Sequence, residues 1–140
     1  MERRRPIGFW LKLLDGLIDQ RLDATLSRWS LDRRQWQVIN LLNDSPRSKE
    51  EVVAALEPFG RQTVEVALAD LTASGLVAAT DGRLRLTTTG ENVLGEAHAG
   101  VNENRQRIAD GIEADDYLRT IETLRRMAMN LGWRDPDDQP

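Results

Sequence analysis

A mainly α-helical chain carrying one small β-hairpin is the fold class that three features of the sequence predict. Apolar residues recur every three or four positions along most of its length. A single Asp81-Gly82 pair separates two short runs of β-prone residues. Asp32 and Ser48 each stand immediately ahead of an apolar-periodic segment, where a short polar side chain can cap a helix. At 140 residues the chain is expected to form one domain, residues 1–140, because domains usually hold roughly 100 to 200 residues.

In residues 6–29, Leu11, Leu14, Ile18, Leu22, Leu26 and Trp29 fall at helical spacing, so a long amphipathic helix is expected. Pro6 suits its first turn, where a missing N–H costs nothing, and Arg3, Arg4 and Arg5 precede it as a short basic arm. Ser30-Leu31-Asp32 breaks the pattern. Asp32 is then the expected N-cap of a helix that carries Trp36, Ile39 and Leu42 inward and ends near Asn43-Asp44-Ser45-Pro46.

Ser48 is expected to cap residues 49–56, with Glu51 as its capping-box partner and Val52, Val53 and Leu56 on the inner side. Pro58-Phe59-Gly60 stops that helix. The next, residues 61–74, buries Val64, Ala67, Leu68 and Leu71 and closes on Gly75 in the left-handed conformation. Residues 76–80 and 83–86 should pair across Asp81-Gly82 in a type I′ turn. From Thr88 or Thr89 a long helix runs to Ile108 with Val93, Ala97 and Val101 on its stripe, weakened by Gly95 and Gly100. Beyond Gly111, residues 113–132 set Tyr117, Ile121, Leu124, Ala128 and Leu131 at alternating spacings of four and three, which is a coiled-coil-like seam. Residues 134–140 have nothing apolar to bury and are expected to be a disordered tail.

Composition narrows the function classes. Nineteen cations, all arginine except Lys12 and Lys49, face 23 carboxylates for a net charge of −4, so a global positive field is excluded while a local basic patch is not. With no cysteine there is neither a disulfide nor a thiolate site. No apolar run reaches membrane-spanning length, and the amino terminus lacks the pattern of a secretory leader, so no membrane association and a cytoplasmic location are expected. No nucleophile lies beside a base, no glycine-rich phosphate cradle is present, and the lone His98 has no second ligand to share a metal. The chain is therefore expected to be no enzyme and to hold no cofactor or metal.

Helix, short helix, turn, helix and hairpin is the order of a winged helix-turn-helix, here residues 31–90, in which the second helix of the pair can enter a DNA major groove. Helices within 6–30 and 91–133 flank it as dimerisation elements. Each apolar stripe can close on its own chain or on a second copy, and Asn104 falls near one of them.

These phrases resemble the MarR (multiple antibiotic resistance regulator) family of bacterial transcription factors over most of the chain. The likeness lies in Leu31-Asp32-Arg33-Arg34-Gln35-Trp36-Gln37-Val38-Ile39, in Thr63-Val64 through Leu71-Thr72-Ala73-Ser74-Gly75-Leu76-Val77, and in Leu86-Thr87-Thr88-Thr89-Gly90 after the wing. The resemblance implies an obligate homodimer built from the terminal helices, two winged lobes reading a pseudo-palindrome in double-stranded DNA, and often a small-molecule pocket between the lobe and the dimer helices; the leading expectation is a regulator that represses, with a small-molecule effector as a candidate partner. Two departures stand out: Glu65-Val66 replaces the threonine-arginine pair common early in the family's recognition helix, and the wing holds only Asp81-Gly82-Arg83. The lobe itself is net negative by one charge, with seven cations against eight carboxylates in residues 31–90.

Attraction to DNA would then be local. Arg61, Gln62 and Thr63 open the expected recognition helix, where arginine can pair with guanine and glutamine with adenine. Arg83 and Arg85 on the hairpin are candidates for phosphate or minor-groove contact, with Arg47 and Lys49 as weaker phosphate candidates and Glu65 as a residue that discourages binding. Each of these charges could equally be a solvated surface group. Trp10, Trp29 and Trp36 are candidates for an effector pocket, with core packing as the competing role. A second function class stays open beside the regulator: a winged-helix protein-interaction module that has lost DNA binding.

Overall fold

The computed structural model describes residues 4–135. Along these residues run α1 (Ile7–Leu26), α2 (Arg33–Asp44), α3 (Lys49–Ala55), α4 (Arg61–Ala73), β1 (Val77–Thr80), β2 (Arg83–Leu86), α5 (Thr88–Ile108) and α6 (Ala114–Asn130). Single 3-10 turns lie at Ser27–Trp29 and Glu57–Phe59. The expected class, mainly α with a hairpin wing, is the one observed. The chain divides into two compact units, the first ending at Asn102 and the second beginning at Glu103. Arg3 of the expected basic arm and residues 136–140 of the expected tail lie outside the described residues.

In the first unit, α1 stops before the expected position because residues 27–29 tighten and Ser30 turns left-handed (φ 57°). Asp32 caps α2 in a full capping box: its carboxylate accepts from the Gln35 amide at 2.8 Å, and Gln35 Oε1 accepts from the Asp32 amide at 2.9 Å. Ser48 and Glu51 repeat the device at α3, at 3.1 and 3.3 Å. The two boxes fix where α2 and α3 begin, each typically worth about 1 kcal/mol in its cap residue alone.

Leu26, Trp36, Val38, Ile39, Leu42, Val52, Val64, Leu68, Leu71, Leu76, Val77, Ala97 and Val101 belong to one buried cluster. It joins the carboxyl-terminal end of α1, the inner faces of α2 to α4, the base of the hairpin and the middle of α5. Arg33 bolts α1 to α2, its Nη1 lying 2.8 Å from both Asp15 and Asp19. Burial disfavours that charge, but the hydrogen bonds to Asp19 and Asp15 outweigh it and raise the guanidinium pKa above its ordinary value. Arg34 lies over the Phe59 ring at 3.7 Å and so ties α2 to the turn that leads into α4.

The hairpin pairs Val77 with Leu86 through Thr80 with Arg83. Asp81 (φ 54°) and Gly82 (φ 76°) are both left-handed, as a type I′ turn requires. A third segment joins it: Arg47 N donates to Leu84 O at 3.0 Å and Leu84 N to Arg47 O at 2.7 Å.

Burial along α1 is graded. Leu26 is buried and Leu22 half-buried, yet Ile7, Trp10, Leu11, Leu14 and Leu17 are each 46–54% exposed. In the second unit α6 has no buried residue, and it exposes Tyr117, Leu118, Ile121, Met127 and Met129. Its acidic first turn, Asp115 and Asp116, complements the helix dipole. Asp135 Oδ2 lies 3.5 Å from Arg125 Nε, so this residue of the expected tail is held. Among the described residues no helix is long and apolar enough to cross a membrane.

Candidate nucleic-acid interface

The candidate residues lie on α3, α4, the wing and the loop before α3. Glu57–Phe59 ends on Gly60 (φ 84°, ψ 146°), which re-aims the chain into α4. The N-cap residue of α4 is Gly60, which has no side chain to meet the first-turn N–H groups of Arg61, Gln62 and Thr63. All three side chains are exposed, on the first turn where an anion is favoured by the helix dipole.

The charges here are paired. Arg61 grips Glu50 across the two helices, Nη1 lying 3.1 Å from Oε1 and Nη2 closer still to Oε2. Its Nη1 is also 3.7 Å from Glu65 Oε1, and Lys49 Nζ lies 2.8 Å from Glu65 Oε2. Glu50, Arg61, Glu65 and Lys49, in that order, thus form a chain of alternating carboxylates and cations between α3 and α4. The hydrogen bond from Arg61 holds the Glu50 carboxyl below its ordinary pKa, and that from Lys49 does the same for Glu65. The bond to Glu50 in turn raises the Arg61 guanidinium.

Sequence reading singled out Arg61, Lys49 and Glu65, and the structure brings these three together. It missed Glu50, because spacing within a helix says nothing about a partner eleven positions away. Gln62 makes no side-chain bond among the described residues. Arg61, Gln62, Glu65, Val66 and Ala69 line one open groove along the outer side of α4.

On the wing, Arg83 Nη1 donates to Pro46 O at 3.2 Å. Arg85, two positions further along β2, is also exposed. Arg47 is more structural than expected: its backbone pairs with Leu84, its Nη2 lies 3.2 Å from Asp44, and its Nε is buried without a hydrogen-bond partner.

The three tryptophans occupy three settings. Trp36 is in the core with a buried, unpartnered Nε1. Trp29 is half-buried and donates to Glu96 Oε2 at 2.9 Å. Trp10 is 54% exposed on α1 and stands edge-on to Phe9 at 5.2 Å.

A helix-turn-helix whose second helix presents an uncapped, exposed first turn beside a type I′ hairpin is a winged helix-turn-helix. Comparison with solved structures refines that class. The regulator CouR of Rhodococcus jostii RHA1, bound to p-coumaroyl-CoA, superposes with a TM-score of 0.80 at 21% identity, over 93% of this chain and 96% of that one. A MarR family protein of Mycobacterium tuberculosis in complex with DNA gives 0.66 at 23% identity, over 93% and 100%. The reduced form of MarR from Escherichia coli gives 0.73 at 19%, over 89% and 95%. No family model matches the chain, and no curated protein matches it. The chain has the winged-helix fold of the MarR-family transcriptional regulators.

Proposed function

We propose that the protein is a homodimeric, DNA-binding transcriptional regulator of the MarR type, acting as a repressor in the bacterial cytoplasm on a pseudo-palindromic operator. The observation that carries this reading is the exposed first turn of α4, which follows Gly60 without a side-chain cap and lies in the same lobe as the wing. In it, α4 enters the major groove with Arg61, Gln62 and Thr63 leading. The wing, residues 76–86, brings Arg83 and Arg85 to the flank, and Arg47 and Lys49 add phosphate attraction.

Dimerisation is supported by the uncovered apolar faces of α1 and α6, which a second copy would bury. Effector control belongs to the same proposal: CouR was solved with p-coumaroyl-CoA, and Trp10 and Trp29 are this chain's remaining aromatic candidates for such a contact, Trp36 being buried in the core. The test is selection of protein-bound fragments from the source genome, followed by titration of the recovered duplex at several salt concentrations. A regulator enriches a pseudo-palindrome and loses affinity linearly in log salt. A dimer that enriches nothing overturns the reading.

A second reading, a protein-interaction module without DNA affinity, is favoured by the neutral pairing of Glu50, Arg61, Glu65 and Lys49. Glu65→Arg separates the two. A regulator gains non-specific DNA binding from it, whereas an interaction surface loses its protein partner.

A further inference from the structure

The outer side of α4 carries exposed side chains that no ion pair engages. Gln62, Val66 and Ala69 follow one another at spacings of four and three, so they share one face of the helix. All three are exposed, Val66 at 54%. The cation beside them, Arg61, is engaged by two carboxylates. Glu65 has its oxygens turned to Lys49 and Arg61. The face therefore offers a neutral amide and, one turn along, an aliphatic surface.

Major-groove edges differ in which of these they accept. Guanine shows two acceptors and wants a free guanidinium or ammonium; adenine shows an acceptor beside an amino donor, which a glutamine amide matches in bidentate fashion. Thymine alone carries a 5-methyl group, and apolar side chains meet it. A helical turn rises 5.4 Å, about one and a half base-pair steps, so Gln62 and Val66 can address neighbouring pairs.

We infer that α4 reads A·T pairs within each half-site, Gln62 taking adenine and Val66, with Ala69, taking the thymine methyl, while Arg61 serves the phosphate backbone. The inference rests on the regulator reading above and makes Gln62 and Val66 its specificity-determining residues.

Substituting deoxyuridine for each thymine of the recovered operator in turn deletes the methyl and leaves base pairing intact. The wild-type protein is expected to lose about fourfold in affinity at one thymine per half-site, the value of one buried methyl-sized group. Val66→Ala is expected to lose clearly less than wild type on that same change, because only a smaller apolar surface and Ala69 remain against the methyl, and Gln62→Ala is expected to accept G·C at the neighbouring pair. Both positions are exposed, and an unchanged unfolding midpoint confirms that the variants fold. Salt-dependent binding that ignores every uracil, or a Val66→Ala protein as methyl-dependent as wild type, overturns this inference and leaves the regulator standing. No salt-dependent binding to any duplex overturns both.

Discussion

Gly90 shows how a single position can fix an approach between two elements. Thr87 Oγ1 accepts from the Gly90 amide at 3.0 Å and donates to Gly75 O at 2.6 Å, while Thr87 N donates to Leu76 O at 3.0 Å. These bonds press the first turn of α5 onto the strand entry, and a Cβ on residue 90 would be driven into the Leu76 carbonyl. Backbone on both sides cannot give way as a flexible side chain could. Gly90→Ala is accordingly expected to destabilise the protein by about 1–3 kcal/mol, as overpacked positions do, read as a lower midpoint in denaturant. The Leu86-Thr87-Thr88-Thr89-Gly90 phrase was legible in the sequence, and its physical content is this cap and this contact. Glu50 opposite Arg61, and Glu96 beneath Trp29, were not legible, since each joins residues distant in sequence.

Between elements, the alternation of charges across α3 and α4 sets an acid response. Glu50 and Glu65 are held below the ordinary carboxyl value of 4.5 in the folded state. A depressed folded pKa stabilises above the unfolded value and is lost as pH falls through the folded one. The Glu50→Gln, Glu65→Gln double variant should therefore be less stable than wild type near neutrality, with the gap closing as the pH drops below 4.5. The contribution is small because these groups are exposed. The same variant should bind DNA severalfold more tightly with a steeper salt slope, since it removes two anions and frees Arg61 and Lys49; equal affinity would mean that the α3–α4 edge lies away from the phosphates.

Element order was well read from periodicity and caps, because the boxes at Asp32 and Ser48 are local. Ends were read less well: α1 stops at Leu26 and α6 at Asn130, where left-handed and 3-10 geometry intervenes without an apolar signature. The pairing of Arg47 with Leu84 left no trace in the sequence, since one backbone bridge needs no alternating pattern.

For the whole molecule the question is what covers the apolar faces. Fully burying a leucine or isoleucine side chain is worth about 1.5–3 kcal/mol, and α1 and α6 together leave many such residues exposed. Wild type is expected to sediment at twice the 15.9 kDa chain mass, and Leu14→Glu combined with Ile121→Glu to shift it to one chain with weakened operator binding. A wild-type monomer would undercut the dimeric regulator directly. Neither face could be assigned a partner from periodicity, which reports that a stripe exists and not what lies against it.

The bridge from Arg47 to Leu84 bears on how this lobe can change in length over evolution. A hairpin of four residue pairs is marginal alone; here it is anchored to the segment just before the Ser48 cap, so strand register and helix start share one ruler. An insertion at the Asp81-Gly82 tip lengthens the wing and leaves that ruler untouched. One extra residue between Ser45 and Ser48 would slide the bridge or the cap by a position, so descendants of this chain should vary freely in wing length and hardly at all in the loop beneath it.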